Sequence, residues 1–294
     1  MRAVLIGSVH FSRVMLDELL SRKSIQIVGV CTLEHDGAKS DRIDLTPICV
    51  SRGIPVRYTP NINAHEVIDW VGSLEPEVIF CLGWSRLIKE PLLSLAARGV
   101  VGYHPSALPA NRGRHPLIWA LALGLHETGS TFFAMNEGAD SGNIISQTLL
   151  PILDGDDAAA LYERVITVAL SQIDDVIQQL TFSEVIGIPQ DEAKANYWRK
   201  RGWRDGQIDW RMPASGIRNL VRALARPYVG AHFIRSDKTF KVWDCRIVEN
   251  SSLLTEPGRI LRVDSAGILV KCGVDAILLT DVDPYPSVME ADYL

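Results

Sequence analysis

Long apolar runs are missing from this chain of 294 residues: none approaches the roughly 18 to 20 residues that a bilayer-spanning helix needs. The opening MRAVLIGSVHF has one Arg and a short apolar stretch that turns polar at Gly7-Ser8, with no cleavage-like small-residue site. It reads as a first buried strand, not a signal peptide. Cysteine is scarce and scattered. Cys31, Cys49, Cys81, Cys245 and Cys272 are odd in number and far apart, which excludes a disulfide frame and points to reduced core residues. The seven His and five Cys show no ligand spacing, so no metal site is expected. An excess of positive charge is also missing: the formal net charge is −5, which gives no global drive toward nucleic acid or an anionic membrane. There is no internal repeat or low-complexity tract. No G-x-G-x-x-G follows the first apolar run, so a dinucleotide fingerprint is excluded. With 47% hydrophobic and 22% charged residues, the chain is expected to be a soluble cytoplasmic protein with room for one large or two smaller domains.

The first half alternates short apolar runs with amphipathic stretches. Ala3-Val4-Leu5-Ile6 reads as a central parallel strand, and residues 14–20 as a helix with one apolar face. Strands follow at 25–32, 55–57, 78–82 and 99–101, helices at 47–52, 67–74 and 87–97, and a polar, acidic surface loop at 34–46. Strands and helices in this order imply βαβ units, hence a Rossmann-like, mostly parallel α/β sheet with helices on both faces. Right-handed crossovers then line up the strand C-termini, and any ligand, along one edge. Beyond about residue 190 the pattern changes. Residues 194–226 hold nine Lys or Arg against two Asp or Glu, and short strand-like runs follow at 231–234, 240–243, 258–263, 268–270 and 276–279. Their 8 to 12 residue spacing suggests a small C-terminal β-barrel of OB-like type. The expected organisation is a catalytic domain over 1–190, a connector over 191–204 and the barrel over 205–294.

Residues 99–147 are the richest in chemistry. The run Gly99-Val100-Val101 delivers His104 at its C-terminal end, where an α/β sheet keeps its ligands. Residues 131–135 read as a strand, followed by the glycine-bearing loop Glu137-Gly138-Ala139-Asp140-Ser141-Gly142. A His from one strand end and an Asp from another are suited to acid–base work, because a carboxylate orients an imidazole for proton transfer. From spacing alone His104 serves equally well as a loop residue held by backbone hydrogen bonds, and Asp140 as a turn residue.

These residues carry a resemblance to the formyltransferases that use N10-formyltetrahydrofolate. The chain has His104-Pro105-Ser106-Ala107-Leu108-Pro109, then Arg112-Gly113, then Thr128-Gly129-Ser130-Thr131, then Asp140-Ser141-Gly142, in the order and at the separation of that family's signature. FCLGWSRLI over 80–88 resembles the segment whose backbone cradles the pterin, and Asp205-Gly206-Gln207-Ile208-Asp209-Trp210 the entry to the family's C-terminal barrel. The resemblance implies formyl transfer from the folate co-substrate to an amine. It implies catalytic roles for His104 and Asp140, and folate contacts at Trp84, Ser85, Arg86, Leu87, Ile88 and Gly138. Arg112 is a substrate or a structural arginine, and Ser106 caps its turn. A family Asn stands two residues before the His; here that position is Gly102. Three consequences are open: a backbone N–H, a water or Asn111, Asn136 or His115 replaces the lost oxyanion donor; a bulkier substrate uses the space; or the chain is a catalytically impaired folate- or nucleotide-binding homologue.

The accepting amine is approached through charge. A tRNA substrate needs basic surface. Yet Lys39 and Arg42 in the early loop face Glu34, Asp36, Asp41 and Asp44, and residues 249–294 carry three basic against eight acidic residues. That layout argues against nucleic acid and thus against the branch acting on methionyl-tRNA. Asn111-Arg112-Gly113-Arg114-His115-Pro116, Ile118-Trp119 and Phe132-Phe133 resemble the branch that formylates nucleotide-linked amino sugars for surface polysaccharides. The expected acceptor is a 4-amino-4,6-dideoxy sugar, of a pseudaminic-acid-related route, contacted by Ser8, His10, Arg112 and Asn136. Trp84 either stacks on a base or sugar or belongs to the core behind the folate loop. A homodimer is expected from the family alone.

Overall fold

The computed structural model describes residues 1–34, 41–182, 187–250 and 254–294, so positions 35–40 of the early loop read at 34–46 lie outside the described residues. The chain divides into two compact units, Met1–Gly113 with Gly129–Leu150 and Arg164–Trp198, and Arg114–Thr128 with Pro151–Glu163 and Arg199–Leu294. In chain order the elements are β1 (Arg2–Ile6), α1 (His10–Ser21), β2 (Gln26–Thr32), α2 (Thr46–Ser51), β3 (Val56–Tyr58), α3 (His65–Ser73), β4 (Val78–Cys81), β5 (Val100–His104), β6 (Arg112–Gly113), α4 (Pro116–Ala122), β7 (Glu127–Ala134), β8 (Ile144–Pro151), α5 (Ala158–Phe182), β9 (Tyr197–Trp198), α6 (Ala214–Ala223), β10 (Ala231–Arg235), β11 (Lys238–Val248), β12 (Ile260–Asp264), β13 (Gly267–Lys271) and β14 (Ala276–Asp283).

The first unit is built on a seven-stranded sheet ordered β3-β2-β1-β4-β5-β7-β8. β1 lies at its centre because Ala3, Val4, Leu5 and Ile6 are apolar on both faces, and all four are fully buried. The pairings from β3 to β5 are parallel, and β7 runs antiparallel to β5. On one face Ile79, Cys81 and Val100 pack with Val67, Ile68 and Val71 of α3. On the other, Tyr103 stacks on Phe11 of α1 at 4.2 Å and bonds Ser130, which donates to Gln172 of α5. The strand order reverses between β1 and β4, so the loops that follow these two strands lie side by side at the sheet's ligand-bearing edge.

One expected element is replaced. Residues 87–97 form a series of turns instead of a helix. Pro91 supplies no N–H and disfavours helical backbone at Glu90, so the run cannot propagate. Leu92, Leu93 and Ala96 still enter the core cluster, which is why their spacing resembles a helix face. Residues 151–190, given no element above, contain the longest helix, α5, whose buried Leu161, Val165, Ala169, Ile173, Val176 and Leu180 keep a three-to-four-residue spacing.

In the second unit five antiparallel strands, ordered β10-β11-β14-β13-β12, form the small barrel sheet. Its core includes Phe233 stacked on Phe240 at 5.2 Å, with Val242, Ile268, Val270 and Ile277. β11 runs far beyond the four residues expected of it, and register shifts at Val242/Asp244 and Asp244/Cys245 let so long a strand bend. All five cysteines are buried and unbridged. Among the described residues, no helix is long and apolar enough to cross a membrane, and no cluster of His, Cys, Asp or Glu could hold a metal ion.

Candidate active site

His104 ends β5 itself, which runs three residues beyond the strand expected at 99–101, and is 5% exposed. Its Nε2 lies 2.8 Å from the Asn111 carbonyl oxygen. A carbonyl only accepts, so Nε2 carries a proton. Nδ1 then faces Asp140 Oδ2 at 3.5 Å, which brings the two expected catalytic groups together at a distance longer than a usual hydrogen bond. Contacts of this kind tighten when substrate closes the site.

The loop after His104 is held from several sides. Ser106 Oγ donates to the Ala110 carbonyl at 2.9 Å, so this serine does brace its turn. Thr131 Oγ1 donates to the Ser106 carbonyl, and the Gln147 amide to the Leu108 carbonyl and to Thr131 Oγ1. Asp140 has φ +55°, a left-handed conformation unusual for a residue with a side chain. Its Oδ2 accepts the Gly113 N–H at 2.8 Å. Asn136 Oδ1 accepts from the Gly138 N–H and the Ser141 hydroxyl, so Asn136 shapes the same loop. Gly142 has no room for a Cβ, which would strike the Ala134 carbonyl.

Gly102 lies beside Phe133 in the β5–β7 register. A Cβ there would meet Met135 Cγ at 2.7 Å and Phe133 Cζ and Cε1 at 2.8 and 2.9 Å. The expectation that Gly102 leaves space for a bulkier substrate is therefore corrected: Phe133 and Met135 already fill it. Arg112 is fully buried, and all five of its N–H donors point at protein acceptors. Nε and Nη2 reach Gln190 Oε1 at 3.1 and 2.7 Å, Nη1 and Nη2 grip both oxygens of Glu192 at 2.9 and 2.7 Å, and Nη1 reaches Tyr197 Oη at 2.7 Å. Of its two open roles the structural one matches this geometry, with no donor left over for a substrate. Glu192 in turn is held below the usual carboxylate range by the Arg112 guanidinium.

The loops after β1 and β4 meet at the strand-order reversal. Ser12 Oγ accepts from the Ser8 and Val9 N–H groups and donates to the Leu82 carbonyl at 2.6 Å. A side chain at Gly7 or Gly83 would strike Ser12, so both glycines serve this close approach. Ser8 is buried within the turn, and the His10 N–H donates to the Asp41 carbonyl. Along 84–88, Ser85, Arg86 and Leu87 are exposed, Trp84 packs against the core cluster, and Ile88 is buried in it. Asn63 pins the loop backbone, donating to the Leu87 carbonyl at 2.9 Å and accepting from the Lys89 N–H at 2.8 Å. The Trp84 indole N–H is buried without a protein partner. Cys81, beneath this edge, has its thiol pushed up by burial and then by the Asp140 carboxylate, so it is no nucleophile. Sequence reasoning missed Asn63, Gln147 and Gln190. Each is an amide that bonds to backbone, a role without a motif.

A sheet edge carrying an imidazole–carboxylate pair is an arrangement suited to moving protons during group transfer. The comparisons agree. Residues 1–177 match the formyl transferase family, and residues 203–291 its C-terminal domain, so the chain belongs to the formyl transferase family and is a formyl-transferring enzyme. Methionyl-tRNA formyltransferase of Acidithiobacillus ferrooxidans is 31% identical over 287 residues, covering 96% of this chain and 91% of that protein. Among solved structures, an N-formyltransferase from Helicobacter canadensis in complex with folinic acid and dTDP-3-aminofucose superposes with a TM-score of 0.69 at 18% identity, covering 95% and 98% of the two chains. Methionyl-tRNA formyltransferase from Clostridium thermocellum gives 0.61 at 14% identity, covering 84% and 94%.

Proposed function

We propose that the chain transfers the formyl group of N10-formyltetrahydrofolate to the primary amine of a nucleotide-linked amino sugar of the 4-amino-4,6-dideoxy type. The residues present fit a folate. The exposed residues Ser85, Arg86 and Leu87, on a loop pinned by Asn63, line the place for a pterin edge, and the Trp84 indole N–H is buried with no partner among the described residues. Gly138 lies on the Asp140 loop, close to that same sheet edge. Bound there, the folate supplies the formyl group. His104 and Asp140 then handle the proton that the attacking amine must lose, with Nδ1 as the exchanging atom because Nε2 is tied to the Asn111 carbonyl. With Phe133 and Met135 in the place of a side-chain amide at position 102, His104 becomes the donor that β5 offers to the charge on the formyl oxygen once Nδ1 has taken up the amine proton.

The observation that carries the choice of acceptor is how the basic stretch is used. Lys194, Arg199, Arg211, Arg218 and Arg226 are paired with Asp191, Asp205, Asp209, Asp154 and Asp281, and Arg222 donates to backbone carbonyls of Leu153, Asp154 and Asp156. The five paired charges, of nine basic residues in the stretch, release few counterions on meeting phosphates, which weakens it as an RNA track. A methionyl-tRNA acceptor is the second reading, favoured by the 31% identical Acidithiobacillus relative. The test is a mass-spectrometric panel with N10-formyltetrahydrofolate as donor and, as acceptors, nucleotide-linked 3-amino and 4-amino sugars and charged initiator tRNA. Formylation of a sugar supports the proposal; formylation of tRNA alone would sink it.

A further inference from the structure

We propose that Gln190 is a positioning residue for the His104–Asp140 pair, acting through a strap formed by residues 188–198. Its amide faces two ways. Nε2 donates to the carbonyls of Asp140 at 2.9 Å and Gly142 at 2.6 Å, on either side of the turn that presents the carboxylate. Oε1 accepts from Nε and Nη2 of buried Arg112, so neither end of the amide is left to swivel. Arg112 is in turn gripped by Glu192 and Tyr197 from the same strap.

The strap also reaches the histidine side. β6 pairs with β9, the Arg112 N–H donates to the Asn196 carbonyl, and the Asn111 N–H to Asn196 Oδ1. Asn111 is the residue whose carbonyl fixes His104 Nε2, and Gly113 the one whose N–H fixes Asp140 Oδ2. Ile188 exchanges both backbone hydrogen bonds with Ile144, just past the Asp140 loop. One short segment thus sets the positions of both loops, and Gln190 is where the two sets of bonds join. Asp140 needs such restraint, because its left-handed backbone persists only where the surroundings over-determine it.

The proposal rests on the proposed amino-sugar acceptor for its kinetic arm, and the test separates the two. Gln190→Ala removes both ends of the amide. Gln190→Glu keeps an acceptor for Arg112 but places oxygen against two carbonyls, and serves if the alanine variant folds poorly. In the first arm, the His104 ring signals are assigned by NMR from their absence in a His104→Gln variant. Both Gln190 variants are expected to shift those signals and to broaden them, whether or not an acceptor is known. In the second arm, kcat is expected to fall by about 10- to 100-fold, the size of loss that follows a misplacement near 1 Å, with KM for donor and acceptor within about twofold of wild type. Unmoved His104 signals overturn the proposal, as does a kcat equal to wild type or a loss confined to KM. A wild-type protein that formylates nothing on the panel refutes the proposed acceptors, and the NMR arm then decides the positioning role alone.

Discussion

Substitution of Gly102 tests why the strand that ends in His104 carries a glycine two residues earlier. In Gly102→Ala the new methyl falls 2.7 to 2.9 Å from Met135 Cγ and two atoms of the Phe133 ring, far inside ordinary contact. Phe133 is 2% exposed and cannot swing into solvent, so the strand or the ring must shift. Overpacking of this kind costs about 1–3 kcal/mol. Against that, alanine recovers about 0.5–1 kcal/mol of backbone entropy relative to glycine. The net expectation is a loss of about 1–2 kcal/mol, read as a lower urea midpoint at unchanged m-value. Phe133→Leu shortens the obstructing ring, so the double variant is expected to be more stable than the sum of the single changes by about 1 kcal/mol, the coupling of residues in contact. Gly102→Asn meets the same ring, adds a buried amide, and is expected to lower stability further without raising kcat. A Gly102→Ala protein as stable as wild type, strict additivity with Phe133→Leu, or a faster Gly102→Asn enzyme would each refute the packing argument.

The remaining expectations are brief. His104→Ala and Asp140→Asn each lower kcat by about 10²- to 10⁴-fold at saturating donor, the usual worth of a positioned acid or base; a rate within threefold of wild type would remove that residue from the chemistry. Trp84→Phe deletes a buried N–H with no protein partner, so thermal stability is expected to hold while KM for the formyl donor rises. A fall in the unfolding midpoint together with an unchanged KM would count against the folate contact. Asp205 is held well below the usual carboxylate range by Arg199 and the Gly202 N–H, and Asp209 is pulled down to about 2 by Arg211. Folded values below the unfolded ones mean that this stabilisation is complete above the ordinary aspartate range and is lost as pH falls through the folded values. The acid limb of an unfolding titration is therefore expected to flatten in Asp205→Asn, and an unchanged limb would show the pair to be idle.

The strands that build the sheet are legible in the sequence because β1, β2 and β4 are covered on both faces and so read as unbroken apolar runs. His104 and Asp140 are legible as a pair only through the motif that surrounds them, since 36 positions of chain say nothing about a 3.5 Å approach. Ile88, Leu92, Leu93 and Ala96 keep the spacing of a helix face while Pro91 forbids the helix, and burial of side chains outlasted the loss of the element. Gly102 reads as a vacancy because its neighbour Phe133 arrives from another strand, and no local pattern announces a ring from across the sheet. The sequence leaves Arg112 open between a substrate and a structural role for the same reason. Its partners Gln190, Glu192 and Tyr197 stand some eighty residues further on, in a stretch whose composition suggests only a connector.

The strap has a consequence for the order in which the enzyme becomes competent. Every strand of the seven-stranded sheet, and both His104 and Asp140, precede Phe182. The match to the family's first domain closes earlier still, at residue 177. A nascent chain that has reached this point owns its scaffold and its chemistry but lacks Gln190, Glu192, Asn196 and Tyr197, the groups that lock the two loops to one another. Competence thus arrives late in synthesis, with a few polar residues that add little to the core and cannot be trimmed as linker.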